Sequence, residues 1–285
     1  MSVFQRPRID FCFGQAKLCL GRETKIMGVL NVTPDSFSDG GLFRDPGRAA
    51  EHALKMQEAG AHIIDVGGES SRPGSRPVSP AEEIKRIRPV LKRLSKKIKI
   101  PVSVDTYKVD VARMALEEGA LLINDITALR GNKRLARLIA RYGAGIVLMH
   151  MQGTPGTMQK KPFYRNLLKD VRGTLKKAVD TALDAGIPRS HVAVDPGFGF
   201  GKTTEQNLEI LSRLEVFLEL KCPVLVGLSR KSFIGNILGA PVGDRLYGSL
   251  AAAAVAIHRG AHILRVHDVI PHRQLATLVD RSLWN

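Results

Sequence analysis

PVSVDTYKVDVARMALEEGALLINDITALRGNKRLARLIARYGAGIVLMH, residues Pro101–His150, holds one pattern three times. A short apolar run ends each time in a polar residue: Pro101-Val-Ser-Val in Asp105, Ala120-Leu-Leu-Ile in Asn124, and Gly145-Ile-Val-Leu-Met in His150. Between the runs, segments 108–119 and 131–142 read as helices, the crossover that parallel strands require. Glu118-Gly119-Ala120 and Tyr142-Gly143-Ala144 repeat a second device, a glycine that stops a helix just before the next strand.

The pattern extends in both directions. Upstream, Lys25-Ile-Met-Gly-Val-Leu runs into Asn31 and His62-Ile-Ile into Asp65. Downstream, His191-Val-Ala-Val runs into Asp195, Pro223-Val-Leu-Val-Gly-Leu into Ser229 and Arg230, and Ala261-His-Ile-Leu toward Arg265 and His267. Further helices are expected at 46–60, 79–97, 165–186, 204–220, 244–259 and 271–283. Eight strand–helix units predict an α/β fold, the (β/α)8 TIM barrel, whose chemistry sits at the C-terminal ends of its strands. Ile9, Phe11, Phe13, Leu18 and Leu20 alternate loosely and predict an N-terminal β-hairpin, turning near Gly14-Gln15, that plugs the barrel bottom. The 285 residues are expected to form one barrel domain, 1–285.

A hydrophobic content of 44% suits a globular core. The longest apolar stretch, Leu250–Ile257, is mostly alanine and too short for a bilayer, and Met1–Arg8 has no apolar signal region. A cytoplasmic protein without a membrane partner is expected. Cys12, Cys19 and Cys222 form an odd set without metal-type spacing and are expected to be free thiols. The net charge of +16 fits either a nucleic-acid partner or an anionic substrate drawn to a basic mouth. Basic residues are spread along the chain, and aromatics at 5% leave few platforms for base stacking. Lys85–Lys99 alternates with Ile84, Ile87, Val90, Leu91 and Leu94 as the solvated face of an amphipathic helix. No nucleic-acid partner is expected.

Two long connections, Asn31–Gly41 and Gly67–Pro80, follow strands, and their glycine, proline and serine content fits lids that close over a substrate. Asp195-Pro-Gly-Phe-Gly-Phe-Gly-Lys-Thr is not a phosphate loop, because three residues rather than four separate Gly197 from Gly201. Its glycines read as letting backbone approach a flat ligand, with Phe200 packed on it. Asp105 and Asp195 can accept from adjacent N–H groups of a heterocycle, and Asn124 can both donate and accept. Each alone reads equally as a strand-end group capping nearby backbone; all together at one barrel face point to a binding site. Lys231, Arg265 and His267, with no array of carboxylates to pair them, suit a phosphate or pyrophosphate. Asn31 and Asp35 offer hard oxygen ligands for Mg2+. No nucleophile stands out, which favours catalysis by positioning and leaving-group stabilisation.

The motifs, in order, resemble the dihydropteroate synthase family over nearly the whole chain. They are Met27–Gly41, Asp65–Gly74, Ser103–Thr106, Asn124–Ile126, His150–Pro155, Asp195–Phe200, Ser229–Phe233 and Arg265–Asp268. The resemblance implies a barrel transferase of folate biosynthesis and a sulfonamide target. It implies a homodimer that joins 6-hydroxymethyl-7,8-dihydropterin diphosphate to 4-aminobenzoate with Mg2+. By resemblance, Asp105, Asn124, Met149, Asp195, Gly227 and Lys231 bind the pterin. Ser71, Arg265 and His267 contact the diphosphate, and Asn31 ligates the metal. Phe37, Pro73, Phe200 and Ser232, with Lys231, shape the aminobenzoate pocket, and Asp105, Lys231 and Asp35 carry the catalysis. Ser71 stands where the family more often has threonine, so a hydroxyl is kept and a methyl lost. A methyltetrahydrofolate-binding methyltransferase barrel would not need Ser229-Arg-Lys-Ser or Arg265-Val-His. A non-catalytic pterin-binding paralogue would not need an intact Asn31, Asp35 or Arg72-Pro-Gly loop.

Overall fold

The structure, a computed structural model, describes residues 6–33, 45–72 and 74–283. It opens on an antiparallel hairpin of β1 (Ile9–Phe13) and β2 (Ala16–Leu20), in which Phe13 faces Ala16 across a two-residue turn with Gly14 at φ +56°. Cys12 stands opposite Lys17 and Cys19 opposite Asp10, and all three cysteines are free.

There follow β3 (Lys25–Asn31), α1 (Pro46–Glu58), β4 (Ile63–Gly67), α2 (Pro80–Leu94), β5 (Val102–Asp105), α3 (Val109–Glu117), β6 (Leu122–Asp125), α4 (Lys133–Tyr142), β7 (Gly145–Met149) and α5 (Leu167–Asp184). The chain ends with β8 (Val192–Asp195), α6 (Thr204–Ser212), β9 (Leu225–Val226), α7 (Ser232–Leu238), α8 (Leu246–His258), β10 (Ile263–Val266) and α9 (Val269–Leu283). Eight parallel strands lie in the order β8-β7-β6-β5-β4-β3-β10-β9, and a bridge between Val194 and Val224 joins the two ends into a barrel. Among the described residues no helix is long and apolar enough to cross a membrane.

Local chemistry explains the element ends. Ser79 caps α2 by accepting from the Glu82 N–H at 3.2 Å, with Pro80 at the first helical position and Glu82 and Glu83 near the positive end of the helix dipole. Gly60, Gly119, Gly143 and Gly260 all have positive φ, and the alanine after each donates back five residues, to Met56, Ala115, Ile139 and Ala256. Four helices thus stop by one left-handed device.

Because strand side chains alternate faces, each strand feeds two layers. Ile26, Leu30, Ile64, Val104, Ile123, Ile146, Val194 and Leu264 face outward against helix residues such as Met56, Ile87, Leu135 and Leu175. Met27, Ile63, Leu122, Val147, Ala193, Leu225 and Ile263 face inward and form the lowest interior layer, together with Phe11, Phe13 and Leu20 of the hairpin. The two phenylalanines are fully buried and meet edge to face, ring centres 5.0 Å apart. The hairpin is therefore the plug its sequence predicts.

Three expectations change. The segment 204–220 is not one helix: α6 stops at Ser212, and a 3-10 turn covers Leu214–Leu220. The run from Pro223 to Leu228 gives a strand of two residues, and the backbone leaves the sheet at Gly227. Asp65 is not a strand end, because β4 continues through Gly67 and leaves the aspartate fully buried inside the barrel. The seven-residue α7, too short to show a helical period, adds an unanticipated helix between Lys231 and Gly239.

Candidate active site

Two residues beyond the lowest interior layer, the same inward faces carry Asp65, Asn124, Met149, Asp195, Gly227 and Arg265. Asp105, at the end of β5, joins them. A cleft opens here, lined by Ser71, Asp105, Asn124, Ile126, Met149, Asp195, Phe198, Phe200, Gly227, Lys231 and Arg265.

Arg265 organises the floor of this cleft. Its Nε donates to Asp65 Oδ2 at 2.6 Å and its Nη2 to Asp105 Oδ2 at 2.8 Å. Asn124 Nδ2 donates to the same Asp65 oxygen at 3.1 Å, which fixes the amide and turns its oxygen the other way. The sequence left Arg265 without carboxylates to pair it; the structure gives it two. Burial acts to lower its pKa, but Asp65 and Asp105 more than offset this and raise it. Burial pushes the Asp105 carboxyl up, against the pull of Arg265. Asp195 is pushed up to about 6 by burial, although the Gly197 N–H donates to its Oδ1 at 2.7 Å.

Lys231 stands at the rim, its Nζ 4.3 Å from the centre of the Phe200 ring, a cation–π contact. Burial draws it down to about 8, with Asp195 opposing. Burial and then Arg265 hold the His267 imidazole down to about 3, so it is neutral. Its Nδ1 lies 3.1 Å from Ser229 Oγ, which also accepts from the His267 backbone N–H at 3.3 Å. Arg230 turns away and makes a bidentate pair with Asp268 at 3.0 and 2.6 Å.

The glycines after Asp195 were read as making room for a ligand. At Gly197 and Gly201 they make room for protein. A Cβ on Gly197, at φ +73°, would sit 1.9 Å from the His150 carbonyl oxygen, and one on Gly201 2.8 Å from that of Gln152. The Gly67–Pro80 connection is held at both ends. Arg86 Nη1 donates to Gly68 O at 3.0 Å, Lys108 Nζ binds the Glu69 carboxylate and lies 2.5 Å from Glu83 Oε2, and the Gly74 N–H donates to Pro155 O at 3.2 Å. This seats Ser71 against the cleft.

Of the residues singled out by sequence, Ser71, Asp105, Asn124, Met149, Asp195, Phe200, Gly227, Lys231 and Arg265 line one cleft. Asn31, at the tip of β3, His267, beyond β10, and Ser232, exposed at the start of α7, are not among its lining residues. Asp35, Phe37 and Pro73 lie outside the described residues. Sequence reasoning left Asp65 out of the site, although it is the carboxylate on which Arg265 and Asn124 both turn. Its position two residues after the inward Ile63 was the available signal. Ile126 and Phe198, also in the lining, carried no polar group to draw notice.

The pterin binding enzyme family matches residues 27–267. A dihydropteroate synthase from Clostridium beijerinckii is 45% identical over 268 residues, covering 94% of this chain and 97% of that protein. The chain belongs to the dihydropteroate synthase family. Solved family members superpose closely. The Yersinia pestis enzyme in a sulfonamide drug complex has a TM-score of 0.92 at 39% identity, covering 97% of this chain and 100% of that one. The Xanthomonas albilineans enzyme with 4-aminobenzoic acid has a TM-score of 0.88 at 39% identity, covering 97% and 98%. The (β/α)8 fold read from the strand repeats is thus also the fold of the family.

Proposed function

We propose that this chain condenses 6-hydroxymethyl-7,8-dihydropterin diphosphate with 4-aminobenzoate, giving 7,8-dihydropteroate and pyrophosphate. The observation that carries this reading is the convergence of Asp105, Asn124 and Asp195 on one cleft with Arg265 and Lys231. The three polar side chains match the adjacent donors and acceptors along the edge of a pterin, with Met149 on its face. Arg265 spends Nε and Nη2 on the carboxylates and keeps its remaining N–H groups to meet the diphosphate, beside Lys231 and Ser71. Phe200 and Lys231 form the wall against which the aminobenzoate lies; Ser232, Phe37 and Pro73 are assigned to the same pocket by the family resemblance alone.

The chemistry follows from this placement. The carbon–oxygen bond to the diphosphate breaks, and its electron pair leaves with pyrophosphate. The exocyclic carbon, its positive charge shared with the electron-rich dihydropterin, is attacked by the aryl amine, which then loses a proton. The fixed cations Arg265 and Lys231 stabilise the departing charge without reorganising, as pre-aimed groups do. Neutral His267, anchored on Ser229, can donate a hydrogen bond to the leaving group without adding charge.

Asn31 is assigned to Mg2+. A Cβ on the facing Gly67 would lie 3.4 Å from Asn31 Oδ1, so the bare glycine keeps the approach to that oxygen open. Among the described residues no group of three or more acids, histidines or cysteines could cage a metal. One hard protein oxygen fits an ion that takes its other ligands from phosphates and water. Bound there, Mg2+ would neutralise the diphosphate and make it a better leaving group. Asp35 is assigned to the same catalytic mouth.

A homodimer is assigned to the face of α7, α8 and α9, where Ile237, Leu238, Tyr247, Val255, Ile270 and Leu278 are exposed, Tyr247 by 82% and Leu278 by 72%. Light scattering should return twice the chain mass, and Tyr247→Asp should lower it toward the monomer. The activity is tested by mixing protein, Mg2+ and both substrates and following dihydropteroate and pyrophosphate together. Equal, Mg2+-dependent appearance of the two supports the reading; pterin binding without either product contradicts it.

A further inference from the structure

The turn that follows β8 is built around a buried ammonium group. Lys202 is 3% exposed, and its Nζ donates to Gly197 O at 2.9 Å and Phe200 O at 3.0 Å and lies 3.1 Å from His150 Nδ1. Burial draws Lys202 down to about 7, with Asp195 opposing. In its protonated form the amine has three N–H donors and no acceptor, so His150 Nδ1 then accepts and all three donors are used. The imidazole suits that role, because burial and then the lysine's charge hold it down to about 2. Two further carbonyls of the turn are also taken: Gly199 O by Gln159 Nε2 and Gly201 O by Tyr164 Oη, each at 2.7 Å.

This arrangement fixes two groups of the cleft at once. Gly197 gives its carbonyl to Lys202 and its N–H to Asp195 Oδ1, so the ammonium sets the direction in which that carboxylate points. Phe200 gives its carbonyl to Lys202 while its ring supports Lys231. A cation in this position is costly to bury, and packing alone would be served as well by an apolar side chain.

We propose that Lys202, seated on His150, is a positioning residue for the condensation, aiming Asp195 at the pterin and Phe200 under Lys231. This rests on the reading of Asp195 as a pterin acceptor. Asp195 is faced by Lys231, Lys202 and Arg265, each of which favours its ionised form, whereas burial opposes it. Replacing Lys202 by a neutral side chain therefore raises the pH at which Asp195 ionises, an effect that mere loss of stability would not produce.

The test is calorimetric binding of 6-hydroxymethylpterin to the full chain between pH 5 and 9, for wild type and Lys202→Met, each checked for folding by its thermal transition. The expected result is a dissociation constant about tenfold higher at neutral pH, with the acid limb of binding displaced to higher pH. If Lys202→Met does not fold, His150→Leu keeps the ammonium and removes one acceptor, and a several-fold weaker affinity is expected. A folded variant with wild-type affinity and an unmoved acid limb overturns the inference and leaves the function standing. Wild-type protein that binds no pterin overturns both.

Discussion

The two ends of this barrel are made from the same strands and are chemically opposite. At the bottom, seven inward side chains and three from the hairpin form a dry apolar layer. One pleat higher, the same strands present Asp65, Asn124, Asp195 and Arg265, all held by hydrogen bonds inside the protein. The lower layer stabilises the fold by leaving water. The upper one costs stability, because buried ions are only partly compensated by their partners. That asymmetry fits the proposed function, in which charge kept at the centre of an ordinary core is there to meet a substrate.

The largest effect should come from separating the ion cluster. Arg265→Met leaves Asp65 fully buried without its cation. Removing one partner of a buried pair costs about 3–5 kcal/mol, and losing a group that stabilises the leaving charge costs about 100- to 1000-fold in kcat. Denaturant unfolding and steady-state kinetics should show both losses. Phe13→Ala, in the lower layer, should cost about 3–5 kcal/mol in stability while leaving both KM values unchanged in the folded fraction. A change of KM there would break the division between the two ends.

A smaller effect concerns pH. An acid with a folded pKa of about 6 and an unfolded value of about 3.9 binds protons more readily when folded. Its contribution to stability is therefore full below pH ~4 and is lost as pH rises to about 6. Pterin affinity should run the other way, rising around pH 6 as the folded Asp195 ionises to accept. Asp195→Asn should flatten both curves, and an unaltered acid limb of binding would remove Asp195 from the site.

The alternation that separates the two ends was legible in the sequence, because the strand runs repeat eight times and a glycine stop precedes four of them. The polar tips Asp105, Asn124 and Asp195 were legible for the same reason. Side-chain pairing was not. Arg265 lies 200 residues from Asp65 and 160 from Asp105 along the chain, and no local pattern reports contacts formed only by closing a ring. Lys202 read as part of a failed phosphate-loop pattern, since nothing local says that its side chain turns inward.

Asp105→Asn tests the central claim most directly, because it removes a charge and keeps the shape. Thermal unfolding and pterin binding should be measured on the same preparation. Burial raises the Asp105 pKa, so the account predicts a midpoint that stays level or rises while pterin affinity falls about tenfold or more. A lower midpoint with unchanged affinity would make Asp105 a structural partner of Arg265 and contradict the assignment of the upper layer to the substrate.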